Sequence, residues 1–200
     1  SELVKACCWA LGNIAVEGAA LCARLHANGA LRPLALLAVP KGAKGALRCA
    51  TLTQTAAWAL SNIVCGGAEA AELLEIPGFV EGLAAQLADA EHCSETSAAE
   101  LAWVIVALVA APGSEPRAYR LLQGGIATAF ADRLQGGASL TAPYVVPFIR
   151  ALGYLVGTCS PASRPSPPRV AGVFGSGDPL RSFLFPVHIS PFFLPCDLPA

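Results

Sequence analysis

The segment "CCWALGNIAVEG" at residues 7–18 returns in nearly the same form as "AAWALSNIVCGG" at residues 56–67. Each copy places a tryptophan and an asparagine four residues apart, Trp9 with Asn13 and Trp58 with Asn62. Residues four apart lie on the same side of an α-helix. The sequence therefore predicts two equivalent helices, each with an indole and a carboxamide side by side on one face.

The two segments belong to a longer repeat. Aligned on Trp9, the equivalent positions are Trp58, Trp103 and Arg150, which follow one another at intervals of 49, 45 and 47 residues. A period of this length is typical of helical solenoids. Each unit is expected to contain a short helix, a tight turn, a medium helix, a loop and a long helix. Long helices are predicted over residues 3–17, 47–65, 94–111 and 142–158.

Local signals refine the predicted helix ends. Ser94 is a suitable N-cap for the third long helix, since its hydroxyl can accept a hydrogen bond from a backbone N–H in the first turn. Pro147 is expected to kink the fourth long helix or to delay its start. Gly157 is expected to end that helix, because glycine is the usual residue after a helix C-terminus.

The last forty residues have a different composition. Residues 160–200 are rich in Pro, Ser and Gly and show no helical period, which predicts a disordered tail after a repeat array over residues 1–159. Prolines at positions 186, 191, 195 and 199 exclude a continuous helix there, and therefore a membrane span. We interpret the chain as a piece of a longer array that starts with an incomplete repeat, and the tail as accidental sequence. A short aromatic docking segment is the alternative.

Charge and residue usage exclude several classes of function. The net charge of -1 predicts binding neither to nucleic acid nor to an anionic membrane. Eight cysteines and three histidines form no C-x-x-C or zinc-ligand pattern, so reduced thiols and no metal or other cofactor are expected. The adjacent His92 and Cys93 do not make a nucleophile site, because chain neighbours rarely face each other. The chain is not expected to be an enzyme.

The repeats resemble the armadillo repeats of importin-α, the adaptor family that reads nuclear localisation signals. The likeness covers residues 3–158 and is carried by "ACCWALGNIAVEG", "GALRPLALLA", "AAWALSNIVCGG" and "PFIRALGYLVG". It implies a right-handed α-α superhelix of about three to four repeats, whose long helices line a concave groove for an extended Lys/Arg-rich peptide. It also implies a location in cytoplasm and nucleus, and importin-β as a partner only if the N-terminal segment that recruits it exists in the full protein.

The resemblance also assigns roles to single residues. In that family, asparagine carboxamides hydrogen-bond the peptide backbone, and stacked tryptophans sandwich the aliphatic stems of lysine and arginine. Acidic residues nearby pair with the cationic ends. The candidate peptide-binding residues are therefore Trp9, Asn13, Glu17, Trp58, Asn62, Glu100, Trp103, Arg150 and Tyr154. Their indoles and carboxamides are expected to form one continuous inner wall.

The sequence departs from the family pattern in the later repeats. Ala107 and Tyr154 stand where asparagine is expected. The hydrogen bonds of an asparagine contribute about 1 kcal/mol net each, so the loss of one asparagine weakens binding by about tenfold or more. Two alternatives therefore stay open: a divergent armadillo scaffold that binds another extended or helical partner, and a truncated product without function, with exposed repeat ends. A groove with clustered carboxylates favours the import role, whereas a neutral groove favours the scaffold.

Overall fold

The computed structural model describes residues 2–40, 49–67, 69–111, 113–135 and 142–159. These residues form α-helices and one 3-10 helix, which confirms the predicted all-α class. The helices are α1 Glu2–Val16, α2 Ala19–Ala27, α3 Leu31–Ala38, α4 Ala50–Cys65, α5 Phe79–Ala88, α6 Glu95–Ala110, α7 Glu115–Gln123, α8 Ile126–Gln135 and α9 Ala142–Cys159, with the 3-10 helix Ala71–Glu75 before α5. The predicted tail over residues 160–200, and with it the boundary at residue 159, lies outside the described residues.

Two shorter helices followed by a long helix occur three times, although in the first unit α3, with 8 residues, is shorter than α2, with 9. The units are α2–α3–α4, the 3-10 helix with α5 and α6, and α7–α8–α9, while α1 is a further long helix before them. The second unit begins with a 3-10 helix, which ends at Glu75 because Pro77 disfavours helical backbone at Ile76, and Ile76 is extended. The long helices stack in chain order, since α1 packs on α4, α4 on α6 and α6 on α9.

The three local signals have different outcomes. Ser94 caps α6 as expected, and its Oγ accepts a hydrogen bond from the Ser97 N–H at 3.2 Å. Pro147 lies inside α9, which begins at Ala142, so the proline does not delay the helix start. The predicted stop at Gly157 is wrong, because α9 continues to Cys159.

The position of each long helix in the stack decides how much of it is buried. Helices α4 and α6 have neighbours on both sides, and nearly all of their central residues are buried. Helix α1 packs on one side only and buries Cys8, Gly12 and Ala15. The two outer long helices of the described stack, α1 and α9, therefore keep apolar side chains on the surface, including Trp9, Ile149 and Val156.

Successive repeats fit together at glycine notches. A Cβ added at Gly12 would overlap the indole ring of Trp58, so this ring lies directly on the backbone of α1. The same arrangement recurs where Cys22 meets Gly66, Val39 meets Gly82 and Val80 meets Gly124. Glycine is required at these points because a larger residue would push neighbouring helices apart.

Replacing Gly12 by alanine is expected to lower the free energy of unfolding by about 1–2 kcal/mol. Overpacking against a rigid ring costs about 1–3 kcal/mol, and the better helix propensity of alanine offsets up to about 1 kcal/mol. Gly153 is the matched control: it lies three residues after Arg150, as Gly12 lies three after Trp9, but no atom of the described residues is within 4 Å of its added Cβ. Gly153→Ala should therefore stabilise the fold by about 0.5–1 kcal/mol. Urea denaturation at low protein concentration measures both changes. If the two variants change the free energy of unfolding in the same direction, the Trp58 ring does not require glycine at position 12.

Candidate peptide-binding surface

Trp9 and Asn13 lie on the accessible face of α1. Trp9 is 41% exposed, and Asn13 is exposed as well. The Asn13 side-chain amide donates a hydrogen bond to the backbone oxygen of Trp9 at 2.9 Å, which holds it along its own helix. The indole therefore presents an open apolar ring beside an amide whose oxygen can still accept a hydrogen bond.

Trp58 and Trp103 are placed differently from the sequence expectation. Trp58 is 4% exposed and Trp103 is 7% exposed, so neither ring forms an open platform. Trp58 is covered because its ring fills the notch at Gly12 of the preceding long helix. The expected continuous wall of accessible indoles is thus wrong for the described structure, in which Trp9 is the exposed ring of the three. Contact of Trp58 and Trp103 with a peptide stays a prediction.

Asn62 has an unusual environment. Its side chain is 9% exposed, and its Nδ2 group has no hydrogen-bond partner within the described part of the chain. It is the repeat equivalent of Asn13, but its amide does not fold back onto its own helix as that of Asn13 does. A buried N–H without a partner costs about 1–3 kcal/mol, so the folded chain would be stabilised by an acceptor that reached this group.

The two candidate carboxylates differ in accessibility. Glu17 is exposed at the C-terminal end of α1. Glu100 is 3% exposed, and one of its oxygens accepts a hydrogen bond from the Ser61 hydroxyl at 2.5 Å. Burial raises the pKa of Glu100 from its usual value of 4.5 to about 7, although the Ser61 hydrogen bond acts in the opposite direction. The expectation that Glu100 is displayed for a cationic ligand is therefore not met, because the carboxyl lies between α4 and α6.

Arg150 and Tyr154 both lie against the body of the stack. The Arg150 guanidinium carbon is 5.5 Å from the centroid of the Trp103 ring, within the range of a cation–π interaction. This is the contact that a peptide arginine was expected to make, so the chain itself supplies a cation to that ring. Tyr154 is half-buried and packs against the hydrophobic core.

Cys65 lies beside Glu100 and Trp103. Burial, with a smaller effect of the neighbouring Glu100, raises the pKa of the Cys65 thiol far above its usual range, so the thiol stays protonated. Cys65 instead donates a weak hydrogen bond to the backbone oxygen of Trp103 at 3.7 Å. In the ranges that the structure describes, no three His, Cys, Asp or Glu side chains converge as metal ligands. No helix in those ranges is both long and apolar enough to cross a membrane.

Sequence reasoning missed the small residue between Trp and Asn. Gly12 receives the Trp58 ring, and Ser61, at the equivalent position of α4, hydrogen-bonds Glu100. A signal for this role exists, because both repeats carry a small residue three positions after tryptophan, in "WALG" and "WALS".

Two plant importin subunits are similar in sequence to this chain. Importin subunit alpha-9 of Arabidopsis thaliana is 38% identical to the chain over 158 residues, which are 78% of this chain and 28% of that protein. Importin subunit alpha-2 of Oryza sativa subsp. japonica is 35% identical over 142 residues, 70% of this chain and 24% of that protein. The chain is related to the importin-α family. Its stacked three-helix units are armadillo repeats.

The importin-α relationship covers part of those proteins. The chain spans about a quarter of the length of both relatives, 28% and 24%. No model of a protein family matches the chain, and no solved structure matches it either.

Proposed function

We propose that this importin-α-related segment binds an extended Lys/Arg-rich peptide, such as a nuclear localisation signal, on the face that carries Trp9, Asn13 and Asn62. Similarity to two proteins named as importin subunits supports the import role. The role is one of binding and not of catalysis. It assigns the chain to cytoplasm and nucleus, with cargo peptides as partners, and importin-β as a partner only if the N-terminal segment that recruits it exists in the full protein.

The observation that carries the proposal is the orphaned amide of Asn62. An extended peptide has backbone carbonyls without intramolecular partners, and each can accept a hydrogen bond from a side-chain amide. The Nδ2 group of Asn62 is buried and has no partner among the described residues. A peptide carbonyl placed there would satisfy both groups at once, so this contact contributes more than an ordinary exchange with water.

The exposed end of the face supplies the second part of the argument. Trp9 and Asn13 are four residues apart on one side of α1, and the exposed Glu17 directly follows the last residue of that helix. The indole can hold the methylene stem of a lysine or arginine, and the Glu17 carboxylate lies two turns further along for its charge. This strip provides the apolar, hydrogen-bonding and charged contacts that a basic peptide needs.

The burial of Glu100 favours a second candidate function. With Glu100 held by Ser61, Glu17 is the exposed acidic residue among the candidate set. A nearly neutral face suits an armadillo scaffold that binds an uncharged extended segment through Asn62 and Trp9. Salt separates the two roles, because screening weakens binding of a cationic peptide and leaves binding of a neutral one almost unchanged.

Asn62→Ala is expected to weaken peptide binding by about tenfold or more, because it removes the buried donor. The free energy of unfolding should stay within about 1 kcal/mol of the wild type, since loss of an unpartnered N–H offsets the lost packing. Fluorescence anisotropy with a labelled Lys/Arg-cluster peptide measures the first quantity, and urea denaturation the second. Asn28→Ala is the matched control: Asn28 is exposed and its amide donates to the Arg24 backbone oxygen, as that of Asn13 does to Trp9.

The outcomes separate the candidates. Salt-sensitive binding of the basic peptide that is lost in Asn62→Ala but kept in Asn28→Ala supports the import role. Equal, salt-insensitive binding of a neutral scrambled peptide would overturn the import role and leave the scaffold. If Asn62→Ala binds like the wild type, the proposed use of this amide is wrong in both cases.

A further inference from the structure

Arg150 and Trp58 occupy the same position of the repeat, and both side chains reach back to the preceding long helix. The Trp58 indole lies on Gly12 of α1. The Arg150 guanidinium lies over the Trp103 ring of α6, with its central carbon 5.5 Å from the ring centroid. The replacement of an indole by a guanidinium in this repeat therefore places a cation of the chain itself on the ring of the preceding repeat.

The Trp103 ring is thus engaged before any ligand arrives. Only 7% of Trp103 is exposed, and α6 has packed neighbours on both sides, α4 and α9. The face of an indole attracts a cation through the quadrupole of the ring. A lysine or arginine of a bound peptide would use the same attraction. Arg150 and a peptide cation therefore compete for one ring.

We propose that Arg150 excludes the lysine and arginine side chains of a bound peptide from the Trp103 ring. The inference rests on the proposed function, because it concerns how a Lys/Arg-rich peptide is read. A peptide cation that displaced Arg150 would exchange one cation–π contact for another at the same ring, so it would gain little. The sequence of α9 contains no acidic residue that would offset the repulsion between the two cations.

The exclusion determines how much of a basic peptide contributes to binding. Packed helices lie about 8–10 Å apart, and an extended chain rises about 3.3 Å per residue, so one step along the stack takes about three residues. About four basic residues are enough to reach from α1 to α4, whereas about eight reach the Trp103 ring on α6. Peptides of these two lengths separate binding at the first two long helices from binding at Trp103.

Arg150→Gln tests the proposal, since it removes the charge and keeps a polar side chain. Fluorescence anisotropy measures binding of two labelled peptides, a short one with a run of about four Lys/Arg residues and a long one with about eight. The variant should bind the long peptide about three- to tenfold more tightly than the wild type does, and the short peptide within about twofold. Arg24→Gln, an exposed change on α2, controls for the loss of one positive charge and should alter neither affinity by more than about twofold.

A second background shows whether the effect passes through the ring. In Trp103→Leu, the further change Arg150→Gln should alter the affinity for the long peptide by less than about twofold. If the leucine variant does not fold, Trp103→Phe should show a smaller gain than the wild-type background, because phenylalanine binds cations less strongly than tryptophan. An equal gain with and without the Trp103 ring would overturn the proposal in favour of simple charge repulsion by Arg150.

The outcomes separate this inference from the proposed function. If the wild type binds the short peptide and Arg150→Gln binds the long one no more tightly than the wild type does, the role of Arg150 is wrong and the proposed function stands. If neither the wild type nor the variant binds either peptide, both are overturned. A gain that is confined to the long peptide and depends on Trp103 supports both.

Discussion

Replacing Arg133 by methionine is expected to lower the free energy of unfolding by about 3–5 kcal/mol, the largest effect of a single substitution that we anticipate in this chain. Arg133 is 1% exposed although it carries a full charge. Its guanidinium donates hydrogen bonds to the backbone oxygens of Leu87 at 3.1 Å, Asp89 at 3.4 Å and Cys93 at 2.5 Å. The side chain thereby joins α8 to the C-terminal end of α5 and to the loop before α6.

The size of the effect follows from what methionine leaves behind. Hydrogen bonds to a charged group contribute about 1.5–3 kcal/mol each, and carbonyls at a helix C-terminus additionally favour a positive charge. Methionine is uncharged, so the variant avoids the desolvation cost of the buried guanidinium, which is about several kcal/mol and offsets part of this loss. Domains have a total stability of about 5–15 kcal/mol, so the variant is expected to be marginally folded.

Arg32→Met on α3 is the matched control, because Arg32 is exposed in the equivalent medium helix of another repeat. It should change stability by less than about 0.5 kcal/mol. Denaturation with guanidinium chloride, followed by circular dichroism, measures the free energy of unfolding of both variants and of the wild type. A similar, small change in both would show that the three carbonyl contacts of Arg133 do not stabilise the fold.

The repeat pattern made much of the fold predictable. The tryptophan spacing fixes which helices are equivalent, and the predicted C-terminal ends of the four long helices lie within one residue of the observed ends. Gly157 was misleading because α9 continues through it to Cys159. The end of the 3-10 helix at Glu75 required the restriction that Pro77 places on Ile76, which helical periodicity does not report.

The candidate site was less predictable, because exposure depends on neighbours and not on spacing. The four-residue interval correctly puts Trp58 and Asn62 on one face of α4, but it does not reveal that α1 offers a glycine to the Trp58 ring. Trp9 and Trp58 have the same local sequence and differ in exposure by a factor of ten, 41% against 4%. Glu100 and Arg133 are charged residues whose partners lie about 40 residues away, so only the packed repeats bring them together.

Glu100 is expected to make the chain less stable as the pH rises. Its pKa in the folded state is about 7 and its ordinary value is 4.5, chiefly because burial penalises the charged form. Between these values the folded chain keeps a proton that the unfolded chain has released. Stability is therefore highest below pH 4.5 for this group and falls until the pH passes about 7, by roughly 3 kcal/mol in all.

Ser61 and Cys65 are the neighbours that respond to this ionisation. The Ser61 hydroxyl can donate to the carboxylate at 2.5 Å, which limits the cost of the charge. The Cys65 thiol has its own pKa raised by burial and, to a smaller degree, by the Glu100 charge, so it stays protonated throughout this range. The pH dependence consequently belongs to a single carboxyl group, and a variant that cannot ionise should remove it.

Glu100→Gln keeps an oxygen that can accept the Ser61 hydrogen bond, and its side chain has no acidic proton to lose. At pH 4 it should match the wild type within about 1 kcal/mol, and at pH 8 it should be more stable by about 2–3 kcal/mol. The measurement is urea denaturation of both proteins from pH 4 to pH 8, because the difference between them cancels the other titrating groups. Glu115→Gln, an exposed change in the first turn of α7, is the control and should show no such trend. A constant difference between wild type and Glu100→Gln across this range would mean that Glu100 is already ionised in the folded chain, and that the carboxyl between α4 and α6 is accessible to water or to a cation.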